Sequence, residues 1–368
     1  MAERKSRLRG VVDLVRRAYP GFVFGGGVPD DILPVFHFHE VRRETLEPQI
    51  AYLRENGYHT LDAAGIARFA REGHAPGPRA VGLTFDDAWA SSWTVATPLL
   101  RRYQMQAILF VAPARVPAAD VMRTTLDDRD GPPAEIDRSE VPFATWPELR
   151  AMSGTGLWDI QAHSHAHAMI FCDRALEGFV SPGYRPHVHD APDVGTAAAP
   201  HFLSESDLGT PLHPVRSRMS DALRYDDPEA REACREIVLA GGGAAFFEDA
   251  GWAGTLRRAV RPLKGRVETP AERDAAIAAD LTAARETLET RLRISTVRHL
   301  CFPWTIAGTA AERIAAEVGY ESAYADTLGA LHAVRRGGNP HRLMRLKNKF
   351  IFSLPGKGRR FMWSRSRS

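Results

Sequence analysis

The chain has 368 residues, 48 basic against 45 acidic side chains, 44% hydrophobic and 25% charged residues. Those proportions are those of a folded globular protein and exclude a disordered, collagen-like or coiled-coil chain. The strongest apolar runs, such as Ala107–Val111, are far too short to span a bilayer.

The N-terminal segment begins basic, with six Arg/Lys in its first 17 residues, and reads as a short amphipathic helix over 4–18. Asp13, Arg16 and Arg17 break its apolar run, so no signal peptide is expected. After the turn at Gly25–Gly27 comes an apolar strand at 32–41, a helix at 44–56 ending at Gly57, and a second helix near 62–72. The stretch at 81–85 is apolar throughout, which suits a strand buried on both faces of a parallel sheet. A helix at 94–104 and a strand at 107–111 complete a βαβ unit.

Beyond Pro113 the pattern loosens until Thr145, Pro147 and Glu148 form a capping box for a short helix ending near Gly154. A strand follows at 157–163. Residues 168–275 are irregular and repeatedly broken by proline, with one clear helix at 228–239 capped by Asp227. This stretch reads as an insertion or lid without a core of its own. It is expected to overhang the site and shape its substrate, or to form an oligomer contact. Regular alternation resumes with a helix at 274–292, a strand at 297–302, a helix at 309–318 and a strand at 322–325. Strands alternating with helices imply a parallel sheet, open or closed into a barrel. The expected divisions are a basic N-terminal helix and linker at 1–31, a barrel at 32–347 carrying the insertion, and a basic C-terminal tail at 348–368.

Charge is uneven. From Arg335 to Ser368 there are eleven Lys/Arg and no Asp or Glu, leaving 37 basic against 45 acidic residues elsewhere. Two basic ends on an acidic body suit contact with an anionic membrane or polyanion, or a solubilising tail with little order. No nucleic-acid-binding motif accompanies the charge, so nucleic acid is not expected. Cys172, Cys234 and Cys301 lie far apart and form no CxxC, which fits a reducing cytoplasm.

Three clusters fall at the C-terminal ends of expected strands, where α/β barrels keep their reacting groups. Asp86 and Asp87 follow strand 81–85; one carboxylate can bind a metal while the other takes a proton, although an Asp pair in a turn is also an ordinary helix cap. His163, His165 and His167 follow strand 157–162. At helical spacing His163 and His167 face one side, a common way to hold a divalent cation. With Asp87 they would supply three ligands and leave a position for water. Pro303 and Trp304 follow strand 297–302, a pairing that says little alone.

In this order the motifs Thr84–Asp87, His163-Ser164-x-x-His167 and Pro303-Trp304 resemble the polysaccharide deacetylase family, the NodB homology domain or carbohydrate esterase family 4. The strand bearing His37 and His39, followed by a helix and Gly57-Tyr58, resembles the opening segment of many members, and the likeness covers about 32–112, 143–168 and 274–347. It implies a distorted (β/α) barrel, here with a long insertion after the His motif, and metal-dependent hydrolysis of an amide. By matched position Asp86 would be the general base, Asp87, His163 and His167 would hold one divalent ion, and the backbone N–H at Trp304 would hold the oxyanion. Zinc is the default for two His and one Asp; cobalt, nickel or manganese suit similar sets. The arginine that often opens the family's third motif is missing from Leu300-Cys301-Phe302. The acid that protonates the leaving amine is unassigned: His39 and His37, on a strand, rank ahead of His332, and His341 is a further candidate. His165 is read as second-layer or packing. The expected reaction removes an N-acyl group, foremost N-acetyl, from an amino sugar in a glycan or lipid-linked precursor, in the cytoplasm, with the inner face of the membrane as one place for it. A deformylase, a non-sugar amide hydrolase and an inactive glycan-binding protein are the alternatives.

Overall fold

The computed structural model describes residues 18–73, 76–128, 142–261 and 264–360. The expected helix at 4–18 lies almost entirely outside them, as do residues 361–368. No helix among the described residues is long and apolar enough to cross a membrane.

The chain divides into two compact units. The first comprises residues up to 165 together with 284–305 and 315 onward; the second comprises 166–283 and 306–314. Eight parallel strands build the first unit: β1 (Val35–Phe38), β2 (His59–Leu61), β3 (Ala80–Phe85), β4 (Ala107–Val111), β5 (Trp158–Ala162), β6 (His299–Cys301), β7 (Ser322–Tyr324) and β8 (Leu346–Lys347). Their spatial order is β7-β6-β5-β4-β3-β1-β8, with β2 pairing to β3. The sheet curls until Tyr324 bridges Leu343, just before β8, so the two ends of the order approach each other. This is the α/β barrel-like architecture expected from the alternating pattern.

β3 and β4 are buried along their whole length, as their unbroken apolar runs require. The interior packs Val35, Ile66, Phe69, Ile108, Phe110, Cys301 and Tyr324 into one cluster. The flanking helices are α1 (Arg43–Glu55), α2 (Ala63–Glu72), α3 (Thr97–Tyr103) and α4 (Trp146–Ser153). Asp62 caps α2 by accepting from Gly65 N, and the Thr145–Glu148 capping box of α4 is formed in both directions. Ahead of α3 the chain makes a π-helical turn over Ser92–Ala96, so the helix expected from 94 becomes regular only at Thr97.

The C-terminal segment is folded over 348–360. Tyr52 and Tyr58 of the α1 region donate their hydroxyls to the carbonyls of Leu354 and Pro355. Arg359 donates to the carbonyls of Phe22, Gly25 and Gly26. A loosely ordered tail is therefore not what these residues form: the polar groups of α1 and the Gly turn hold them.

The second unit corrects the expectation of a coreless insertion. It holds α5 (Pro228–Ala240), α6 (Trp252–Ala259) and short antiparallel strand pairs. Phe179, Cys234, Val238, Leu256 and Val260 form one apolar cluster, and Phe171, Val180 and Leu203 another. Two further helices, α7 (Pro270–Leu292) and α8 (Thr309–Glu317), include residues of both units.

Candidate active site

The two carboxylates after β3 occupy different surroundings. Asp86 continues the strand, its N–H donating to the Phe38 carbonyl at 3.0 Å. At Asp87 the backbone turns left-handed (φ 70), and Ala88 follows at φ 52. Non-glycine residues pay for such angles, and their concentration beside functional groups is a recurring sign of a site built for chemistry. The same device ends β5, with Ser164 at φ 58 and His167 at φ 49, and β6, with Trp304 at φ 52 and Thr305 at φ 55. Each strand thus ends in a sharp turn that carries a motif side chain.

Asp86 is almost fully buried and gripped by Arg345. Arg345 Nη1 donates to Asp86 Oδ1 at 2.7 Å and Nη2 to Oδ2 at 2.7 Å, a bidentate pair. Nη1 also reaches Thr84 Oγ1 at 2.9 Å, Nη2 reaches Cys301 Sγ at 3.1 Å, and the guanidinium lies over the Tyr324 ring. Burial alone would raise the Asp86 carboxyl, but the charge and hydrogen bonds of Arg345 overcome it and hold the group well below the usual carboxylate range. Asp86 is a carboxylate at any pH near neutral.

Arg345 is the partner of Asp86 that sequence reasoning missed. Leu300-Cys301-Phe302 carries no arginine; the guanidinium at Asp86 comes from the residue before β8 and also donates to Cys301 Sγ. A guanidinium needs only to arrive at Asp86, not to arrive from a given strand. The available signal was a basic residue between the apolar Met344 and Leu346 in a stretch otherwise read as barrel end.

Asp87 Oδ1 lies 3.3 Å from His163 Nε2. Two ligand atoms on a tetrahedral zinc, each about 2.0–2.1 Å from the metal, stand roughly 3.3–3.4 Å apart, so this edge fits a metal of that size. His163 Nδ1 donates to the Cys301 carbonyl at 2.7 Å, so Nε2 is the ring nitrogen left to meet a cation or, without one, to share a proton with Asp87. His167 lies four residues on, within the second unit. The turn is not the helical one expected from the spacing: left-handed angles at Ser164 and His167 replace it. The donor set of two imidazoles and one carboxylate suits a divalent cation. His165 is half-buried, and its carbonyl accepts from Ala114 N.

His37 lies on β1 and His39 just beyond it, their rings edge to face at 5.5 Å. His39 Nε2 stands 3.8 Å from Asp86 Oδ2, and its side chain is 52% exposed. Burial, aided by the Arg345 charge, pushes His37 down to about 3, so its imidazole is neutral near neutral pH. His332 is elsewhere: its N–H donates to the Ala18 carbonyl and its ring stacks on Tyr19 at 5.1 Å. His341 is half-buried in a turn held by Asn339. Trp304 is half-buried in the turn after β6.

A family model described as polysaccharide deacetylase matches residues 73–177, the span from before β3 to beyond the His163–His167 turn. Two curated relatives, each named poly-β-1,6-N-acetyl-D-glucosamine N-deacetylase, come from Escherichia coli strains K12 and O157:H7. Each is 32% identical over 127 residues, which is 34% of this chain and 18% of the relative. The chain therefore matches less than a fifth of the length of these relatives. Among solved structures, the BpsB deacetylase domain from Bordetella bronchiseptica superimposes with a TM-score of 0.54 at 19% identity, covering 87% of this chain and 97% of that one. That likeness is one of fold.

Proposed function

We propose that this chain, which belongs to the polysaccharide deacetylase family through residues 73–177, hydrolyses an N-acyl group, N-acetyl foremost, from an amino sugar in a glycan or lipid-linked glycan precursor. The observation that carries the reading is the contrast between neighbouring carboxylates: Asp86 is held ionised by Arg345, while Asp87 stands against His163. Asp87, His163 and His167 would hold a divalent cation, zinc by preference with cobalt, nickel or manganese as substitutes. Bound there, the ion would supply Lewis acidity toward the amide carbonyl and make a water molecule more acidic.

The chain's own groups do the rest. Asp86 accepts the proton of the attacking water, and Arg345 keeps it aimed and charged. The backbone N–H at Trp304 donates to the carbonyl oxygen as that oxygen gains charge, a contribution that is often the largest catalytic term. His39 returns a proton to the departing amine; it is the exposed imidazole beside Asp86, whereas His37 carries no cationic proton near neutral pH and His332 lies apart. The reading extends to a cytoplasmic location at the inner face of a membrane, supported by the eleven-to-zero charge of the C-terminal segment and by three described cysteines that are all free thiols.

A panel of N-acetylated and N-formylated amino-sugar oligomers and non-sugar amides, incubated with the zinc- or cobalt-loaded chain, tests the chemistry. Acetate release from a sugar, lost in Asp86→Asn while the ion at Asp87 is kept, is the expected result. Formate release alone, or turnover of non-sugar amides alone, would replace the acetyl-sugar reading. No release at all from a metal-loaded chain would favour a glycan-binding protein.

A further inference from the structure

We propose a second divalent-cation site, formed by His37, His39 and Asp86, whose occupation shuts the reaction down. β1 and β3 are parallel neighbours in register, His37 opposite Thr84 and Phe38 opposite Phe85. Their C-terminal ends therefore bring two imidazoles of one strand end to the carboxylate of the other. One ligand atom from each residue lies within 4.8 Å of the others, and His39 Nε2 is already 3.8 Å from Asp86 Oδ2.

The state of these atoms points to a cation. His37 Nδ1 is buried and makes no hydrogen bond. A buried polar atom without a partner costs free energy that a ligand can recover. Asp86 Oδ2 accepts from Arg345 Nη2 at 2.7 Å and lies 4.0 Å from the Cys301 thiol, a weak donor that a cation arriving beside His39 Nε2 can displace. Two imidazoles and one carboxylate select zinc, nickel, cobalt or copper(II) over magnesium and calcium, which prefer oxygen ligands. Arg345 adds a like charge beside the site, so its affinity must be lower than that of Asp87, His163 and His167, and it fills second.

The consequence follows from the roles proposed above, on which this inference rests. A cation between Asp86 and His39 occupies the base and the acid together, so metal in excess inhibits the reaction that metal at low concentration supports.

Native mass spectrometry of the full chain across a zinc titration, with hydrolysis rate measured in parallel, tests this. The expected course is one zinc per chain at low concentration and a second at higher concentration, the rate falling in step with the second. His37→Phe should lose the weaker zinc and keep the tighter one; His39→Ala, at an exposed position that tolerates change, should do the same. Asp87→Ala should lose the tighter zinc and keep the weaker. A wild-type chain that never exceeds one zinc overturns the proposal, as does a second zinc retained in both His37→Phe and His39→Ala. Retention of the tighter zinc by Asp87→Ala would instead overturn the catalytic-site reading and leave the two-histidine site to be judged on its own variants.

Discussion

Asp86 is gripped by the guanidinium of Arg345, while its neighbour Asp87 stands against His163. Asp86 is buried, and burial by itself favours the protonated acid; Arg345 reverses that preference. The sign of the prediction follows. In Arg345→Met the burial cost remains and the ion pair is gone, so the Asp86 pKa rises and the base is protonated over a wider range. The acidic limb of the kcat/KM profile should move to higher pH, whereas a merely structural loss would lower the profile without shifting it. Stability follows the same logic. In the wild type the contribution of Asp86 is fully present above the ordinary carboxylate pKa of about 3.9 and is lost only as pH falls through its depressed native value. Leaving a buried charge without its partner typically costs about 3–5 kcal/mol, so Arg345→Met should also unfold at lower denaturant. Arg345→Lys keeps the charge but not the fork, and should recover part of the pH profile. If both variants retained the wild-type acidic limb, Asp86 would not be the group that titrates it. At this scale the sequence was informative where chemistry is written in contiguous motifs. Asp86, Asp87, His163 and His167 could be singled out as candidates from their motifs at strand ends and from the family resemblance. Arg345 did not, because it meets Asp86 across 259 positions of chain and only the closing of the sheet brings them together.

The elements that could be read were those with a strong period or a cap. β4 was located to the residue by its five apolar side chains, and α4 by its capping box. β2 and β8 escaped because three and two residues, beginning with His59 and ending with Lys347, carry no alternation; neighbours in the sheet define them. The core of the second unit was also hidden, since Phe179, Cys234 and Leu256 come from segments spaced too irregularly to show a stripe. One position of β3 shows how tightly an element can be specified. A Cβ on Gly82 would stand 2.7 Å from Ile66 Cδ1 and 3.0 Å from both Val35 methyls, so these side chains of α2 and β1 would have to shift to admit it. Gly82→Val should destabilise the fold by about 1–3 kcal/mol, the usual cost of overpacking a filled core. Because β3 ends in Asp86, the same substitution should lower kcat more than it raises KM. Chemical denaturation and steady-state kinetics on one preparation check both; an unchanged midpoint would mean that α2 can retreat from the sheet at little cost.

Across the whole molecule, charge is the property that the fold does not use up. The body is acidic and the C-terminal segment basic, but not every cation of that segment is available to a partner. Arg345 is committed to Asp86, and Arg359 to three carbonyls of the Gly turn. Residues 348–360 are also held to α1 through Tyr52, Asn56 and Tyr58, so deleting them would damage the first unit and confound a binding assay. The informative truncation is 361–368, which carries Arg365 and Arg367 beside Phe361, Met362 and Trp363. Basic side chains near an anionic bilayer contribute about 1 kcal/mol each, and aromatic residues favour the interface. If the segment contacts a membrane, the shortened chain should sediment less with anionic liposomes at low salt, the difference should shrink as salt is raised, and neutral liposomes should show little of it. Its circular dichroism and deacetylation of a soluble oligosaccharide should match those of the full chain. Equal sedimentation of the two chains on anionic vesicles would remove the membrane from the proposal and leave the basic end to another polyanion, with the glycan itself, where acidic, the first to try.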